Sequence, residues 1–167
     1  MSNTPEPYEG EHRPRGQADS EIRAEETAAA FEELKQRAGR QSTVEPRFER
    51  MQEDIKEAIS RLVPGLEWAT TRSRSESPCA EPYSNTPGLN VTLVPFSSDD
   101  PIPADRWPAV REAVDSIAVA NGFDGVDLGG GSADRRQMSL RDPDGGHILL
   151  GSGGRTALMI TTGCYLR

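Results

Sequence analysis

RQMSLRDPDGGHILLGSGGRTALMITTGCYLR, residues 136–167, is the stretch that decides the fold. It holds two segments of alternating apolar residues, 136–142 and 147–151, joined by the turn sequence DPDGG. After a second turn, GSGG, the chain returns through residues 155–167. Strands joined by such short Gly- and Asp-rich turns pair antiparallel. This part of the chain therefore predicts antiparallel hairpins, and one face of the final strand carries Leu158, Ile160, Thr162, Cys164 and Leu166.

Two segments further upstream have the residue spacing of amphipathic helices. In 45–62 apolar residues recur every three or four positions, which is typical of a helix packed on a core. They are Phe48, Met51, Ile55, Ile59 and Leu62. Pro46 suits the first turn of this helix. A second helix is predicted near 104–120, with one face formed by Trp107, Val110, Val114 and Ile117.

Shorter patterns predict strands at 66–73, 88–96 and 126–128, with a loop at 74–87. The order is then helix, strand, strand, helix and a run of strands. Helices that bury one face against a mainly antiparallel sheet form a two-layer α+β sandwich. We expect residues 44–167 to form one such domain, with two amphipathic helices on one face of a sheet of about five to six strands.

Residues 1–43 predict a flexible tether ahead of that domain. Residues 1–20 are rich in Pro, Gly, Glu and Arg and have no apolar periodicity, which is typical of disorder. Residues 21–38 are rich in Ala and Glu and favour a helix with a thin apolar face. No apolar stretch approaches the ~18 residues that span a bilayer. The net charge of −8 argues against non-specific nucleic-acid binding, so no nucleic-acid partner is expected.

The two cysteines, Cys79 and Cys164, leave two possibilities open. A disulfide would tie the loop at 74–87 to the final strand, and it would place the domain in an oxidising compartment. Alternatively, both are unlinked buried thiols that pack as small hydrophobes.

Four parts of the chain together resemble a known family. They are RFERMQEDIKEAISRLVPGLEWA (47–69), the intervening Cys79, RWPAVREAVDSIAVANGF (106–123) and the closing LMITTGCYLR (158–167). They are similar to the LppA-like lipoproteins of mycobacteria and related actinobacteria, over about residues 44–167.

The resemblance implies an exported precursor that is cleaved before a cysteine carrying the lipid anchor. It favours the Cys79–Cys164 disulfide and implies a location at the outer face of the cell membrane, but it implies no enzymatic activity. Met1 would stand where the lipidated cysteine belongs, and the alternative is a genuine cytosolic start.

Few residues suggest catalysis or metal binding. No Cys/His spacing matches a zinc site, and DPDGG lacks the further ligands of a calcium loop, so neither a metal nor a cofactor is predicted. His147, oriented by Asp142 or Asp144, is the candidate base of a hydrolase, but no nucleophile motif accompanies it. We therefore expect no catalytic residues.

The remaining candidate residues suggest ligand binding. Trp68 and Trp107 are expected to fill the core, and alternatively they line a cleft for an apolar ligand. Arg135 and Arg136 end the Gly-rich stretch LGGGSADRR (128–136) and could attract an anion. The sequence thus favours a non-enzymatic, monomeric envelope domain that binds a protein or ligand. The alternative is a carrier of an apolar small molecule or of a lipid or cell-wall precursor.

Overall fold

A computed structural model describes residues 15–127, 129–132 and 134–167. Three helices are α1 (Arg15–Gln36), α2 (Gln41–Leu62) and α3 (Trp107–Ala120). The seven strands are β1 (Ser75–Pro78), β2 (Leu89–Thr92), β3 (Phe96–Ser98), β4 (Gly131–Ser132), β5 (Arg135–Arg141), β6 (His147–Ser152) and β7 (Thr156–Thr161).

All the strands pair antiparallel in one sheet. Its order is β1-β2-β7-β6-β5-β4, and β3 pairs with the edge of β7 that β2 leaves uncovered. The α+β class and the antiparallel sheet are confirmed, with seven strands in place of the predicted five to six. None of the described helices is both long and apolar enough to cross a lipid bilayer.

The core lies between helices α2 and α3 and one face of the sheet. The predicted stripe of α2 is buried at Phe48, Met51, Ile55 and Ile59, and that of α3 at Val110 and Val114. On β5, β6 and β7 the even-numbered side chains face this core, since they are buried from Met138 to Ile160. Burial of these alternating side chains is the main source of stability.

Helix α2 begins four residues before the predicted residue 45, because a buried side chain anchors its first turn. The Gln41 amide nitrogen donates hydrogen bonds to the Leu89 carbonyl at 2.7 Å and to the Thr162 hydroxyl at 2.9 Å. Its backbone N–H donates to the Leu166 carbonyl at 2.9 Å. These partners are distant in sequence, so local spacing does not reveal them.

The predicted strand at 66–73 is wrong. Ala69 makes a single bridge with Ser97, and the first strand is β1, inside the predicted loop 74–87. The alternation of Leu66 and Trp68 reflects packing against the core, with the Trp68 indole donating to Ser60 Oγ on α2 at 3.1 Å.

Other predicted strands differ in extent. The predicted strand 88–96 splits into β2 and β3. Pro95 has no N–H to donate to a neighbouring strand, and the Val94 carbonyl accepts a hydrogen bond from the Gln52 side chain at 3.1 Å instead. The final strand ends at Thr161, where Thr162 turns its hydroxyl to Gln41. Val126 and Asp127 are not in a strand, and Leu128 lies outside the described residues.

The last turns of α1 pack against a disulfide. Cys79 and Cys164 are bonded at 2.05 Å, as the family resemblance implied, and both are buried. Leu34 of α1 lies against them and is 2 % exposed. Residues 19–29 of α1 are largely exposed, and the helix includes residues 15–20, which were expected to be disordered. Residues 1–14 of the expected tether lie outside the described residues.

Candidate functional site

Helices cover one face of the sheet and leave the other face open. Because directly opposed residues of antiparallel strands share a face, the register defines what this outer face presents. Ser139, Leu149 and Met159 form one row across β5, β6 and β7. Flanking rows are Gln137, Gly151 and Ala157 on one side, and Arg141, His147 and Thr161 on the other. The outer face is thus apolar at its centre.

A cavity of about 500 Å³ lies over this face. Leu149, Ala157 and Met159 form its floor, and the segments at Thr71–Arg72 and Pro95 form one wall. Met159 is 38 % exposed although it is a large apolar side chain. The volume lies within the roughly 300–1,000 Å³ of typical ligand sites, which are lined mainly by apolar groups.

A second cavity of about 610 Å³ continues the first. The two share four lining residues, Gln137, Gly151, Arg155 and Ala157, and the second adds the side chain of Arg135 and the turn at Gly153–Gly154. We call the two together the outer-face groove. Gly151 lies at its centre, where an added Cβ would meet no heavy atom within 4 Å.

His147 and Ser139 form a hydrogen-bonded pair beside the groove. His147 Nε2 lies 2.7 Å from Ser139 Oγ. Burial lowers the pKa of His147 below its ordinary value, and the Arg141 guanidinium lowers this pKa further. Ser139 is 8 % exposed, and its N–H donates to Asp127 Oδ1 at 3.0 Å.

This pair does not meet the geometry expected of a hydrolase. Within the described ranges no carboxylate bonds to the His147 ring, and neither predicted orienting residue does so. Asp142 Oδ1 instead accepts hydrogen bonds from the backbone N–H groups of Asp144 and Gly146 in the turn between β5 and β6. A base held without an acidic partner has no group to stabilise its imidazolium form.

The structure separates the predicted ligand-binding residues into two places. Trp68 and Trp107 pack against the core on the helix side of the sheet, so they do not line the outer-face groove. Arg135 and Arg136 line its second half. Arg136 Nη2 donates to the Ile102 carbonyl and helps to hold the loop before α3. The binding role of these four residues stays a prediction.

Sequence reasoning missed the apolar floor of the groove. Leu149 and Met159 occupy the odd positions of two strands whose even positions form the core. A strand with one solvated face normally alternates apolar with polar residues. Apolar residues on both faces of β6 and β7 were therefore an available indication of a second apolar surface.

Among the described residues, no group of three or more His, Cys, Asp or Glu side chains is placed to hold a metal ion. The acidic residues that the sequence brings near turns act as hydrogen-bond acceptors or ion-pair partners. Asp127, for example, pairs with Arg111 at 2.9 Å.

Comparisons with known proteins give one family and two related structures. Residues 15–167 match the family model LppA, described as a lipoprotein confined to pathogenic Mycobacterium. LppA from Mycobacterium tuberculosis superposes with a TM-score of 0.64 at 12 % identity, over 92 % of each chain. A DUF4853 family protein from Actinomyces odontolyticus superposes with a TM-score of 0.55 at 11 % identity, over 80 % of this chain and 72 % of that protein's chain. At these identities the structures share the fold alone. No curated protein matches the sequence.

Proposed function

Because the chain belongs to the LppA family of lipoproteins, we propose that it is the extracytoplasmic domain of a lipid-anchored envelope protein. In this role it binds a ligand or a partner protein and turns over no substrate. The lipid would be carried ahead of the described residues and would hold the domain at the outer face of the cell membrane.

The Cys79–Cys164 disulfide is the observation that carries this proposal. The bond is buried beneath Leu34 and lies within the packed domain. Structural disulfides persist in oxidising compartments and are rare in the cytosol. A buried bond between residues 85 positions apart in the sequence therefore supports an exported domain.

The test is the intact mass of the protein purified from its native host, with and without reduction, together with labelling of whole cells by a membrane-impermeant reagent. We expect a lipid-sized increment at the N-terminus, labelling from outside, and a gain of about 2 Da on reduction, from two added hydrogens. The Cys79→Ser/Cys164→Ser double variant should lose the reduction shift and keep the lipid. An unlipidated protein with free thiols that is labelled only after lysis would contradict the proposal.

A second candidate function is that of a carrier for an apolar small molecule, and the outer-face groove favours it. The apolar cleft expected at Trp68 and Trp107 is not part of this groove, whose apolar floor lies on the opposite face of the sheet. Hexadecanol titrated into the isotopically labelled protein should shift the NMR signals of Leu149, Ala157 and Met159. Shifts confined to the core side, or no shifts at all, would contradict the carrier role.

A further inference from the structure

The outer-face groove has a chemical polarity along its length. Its apolar floor, Leu149 and Met159, lines only the first cavity, Arg135 lines only the second, and Arg155 lines both. Arg155, the residue before β7, precedes Met159 by four positions, a distance of about 13 Å at 3.3 Å per residue. One elongated molecule can therefore contact both halves.

The positive charge of the groove lining is opposite in sign to the net charge of the whole chain. The chain carries 27 acidic and 19 basic residues, with a net charge of −8. Nevertheless, the described lining of the two cavities includes four arginines and no Asp or Glu. A site lined by one sign of charge attracts ligands of the opposite sign.

Three of these guanidinium groups are available to a ligand. Arg72 and Arg135 are exposed and form no ion pair with any residue in the described ranges. Arg155 pairs with Asp99 at 3.2 Å, but the two side chains are 64 % and 92 % exposed. Such surface pairs contribute little free energy, so an anionic ligand can replace Asp99.

The small side chains at the centre of the groove leave room for a chain of methylene groups. Gly151 and Ala157 lie side by side between the arginines and the Leu149–Met159 floor. A Cβ at position 151 would meet nothing within 4 Å, so the space above this strand is empty. A straight acyl chain can pass here from one half of the groove to the other.

We propose that the outer-face groove binds an anionic amphiphile, a long-chain carboxylate or phosphate ester. Its head lies between Arg135 and Arg155, and its acyl chain runs over Ala157 to Leu149 and Met159. The inference rests on the proposed ligand-binding role and names the class of ligand. A concave groove with charge at one end suits a single molecule better than a flat membrane surface.

The test is calorimetric titration with four probes, each amphiphile below its micelle-forming concentration. Hexadecanoate and hexadecyl phosphate should bind at one site. Hexadecanol should bind at least about tenfold more weakly, and inorganic phosphate should show no measurable binding. The Arg135→Gln/Arg155→Gln variant should weaken binding of both anionic amphiphiles about tenfold and leave hexadecanol unchanged. A control, Arg50→Gln/Arg61→Gln, removes the same charge from the exposed side of α2 and should change nothing.

A steric variant tests the position of the chain. Gly151→Leu fills the centre of the groove without a backbone clash and should abolish binding of all three long-chain probes while the melting temperature is kept. Gly130→Leu adds the same side chain where its Cβ also meets nothing, outside the groove lining, and should bind as the unmodified protein does.

Each alternative result has a distinct meaning. Equal affinity for hexadecanol and hexadecanoate overturns the anionic preference and leaves the apolar carrier role standing. Equal affinity for inorganic phosphate and hexadecyl phosphate overturns the acyl-chain subsite. Binding to phosphatidylglycerol vesicles without binding of monomeric probes overturns the inference in favour of a membrane surface. If no probe binds, the inference fails, and the lipidation and labelling experiment still decides the proposed function by itself.

Discussion

Arg37 connects helix α1 to the disulfide and to two aromatic rings. Its Nη1 donates to the Cys164 carbonyl at 2.6 Å, and its Nη2 donates to the Tyr83 hydroxyl at 3.0 Å. Its guanidinium lies over the Tyr83 ring at 4.8 Å and near that of Tyr165 at 5.9 Å. The side chain is 10 % exposed, so these contacts are largely shielded from water.

Replacing Arg37 by Met should therefore destabilise the domain. Met keeps part of the aliphatic stem but leaves the buried Cys164 carbonyl without its donor, which costs about 1–3 kcal/mol. Urea unfolding should show this loss as a lower midpoint. Arg23→Met, on the exposed part of the same helix, is the control and should lie within about 0.5 kcal/mol of the unmodified protein. Equal effects of the two variants would contradict the role given to Arg37.

His147 should make stability depend on pH. Burial first, and the Arg141 guanidinium second, lower its pKa in the folded state. In the unfolded chain His147 binds a proton at its ordinary pKa of about 6.5, whereas in the folded protein it is protonated only at lower pH. Stability is therefore present above that pH and is lost as the pH falls from about 6.5 towards the folded pKa.

Thermal unfolding between pH 7 and pH 5 checks this expectation. The melting temperature should fall with pH in the unmodified protein and fall less in His147→Gln, since Gln retains a polar partner for Ser139 without titrating. An identical pH profile for His147→Gln would show that other groups dominate.

At the scale of elements, α1 divides into an exposed part and a docked part. Ile22 is 52 % exposed, whereas Ala30 and Leu34 are buried and Arg37 follows directly after the helix. Helices of marginal apolar content depend on such tertiary contacts for stability. The docked part therefore belongs energetically to the domain.

Two N-terminal truncations separate these parts. Removing residues 1–28 should change the free energy of unfolding by no more than about 0.5 kcal/mol, because the described side chains of residues 19–28 are exposed apart from the half-buried Thr27. Removing residues 1–38 also deletes Leu34 and Arg37 and should cost at least about 3 kcal/mol, the size of a large core truncation. Denaturant unfolding of the two proteins measures the difference. A similar loss in both would place the important contacts before residue 29.

At the scale of the whole molecule, the sheet edges oppose self-association. At the two ends of the strand order, β4 has two residues and β1 has four exposed residues that include Glu76 and Pro78. The three-residue β3, which pairs with β7, is bridged by Ala69 at Ser97. Short, charged and proline-containing edges do not readily pair with another chain. We expect a monomer.

Sedimentation equilibrium over a wide concentration range should give the mass of one chain. A dimer that dissociates in Gly151→Leu would place the outer-face groove in an interface between two copies. A dimer unaffected by that variant would implicate another surface. Either form of dimer contradicts the expected monomer.

Local pattern was sufficient for part of this architecture. The stripe of α2 and the hairpin β5–β6 were predictable because three- to four-residue spacing and short turns act within one segment. The strands of region 66–98 were not predictable in this way. The apolar alternation at Trp68 serves a contact with helix α2, and Pro95 divides an apolar pattern that predicted one continuous strand. Pairing to β7, far along the chain, decides where these strands begin and end.

The sequence by itself determined the α+β class, the helices that bury their apolar stripes, the antiparallel hairpins and, through family resemblance, the Cys79–Cys164 pair. Only the tertiary structure decided which face of the sheet remains open, and that Arg135, Leu149 and Arg155 lie along one groove. The physical reason is that helix and turn signals are local, whereas a groove on a sheet is built across strands. Its rows join residues of β5, β6 and β7 whose proximity depends on register and on the side that the helices cover.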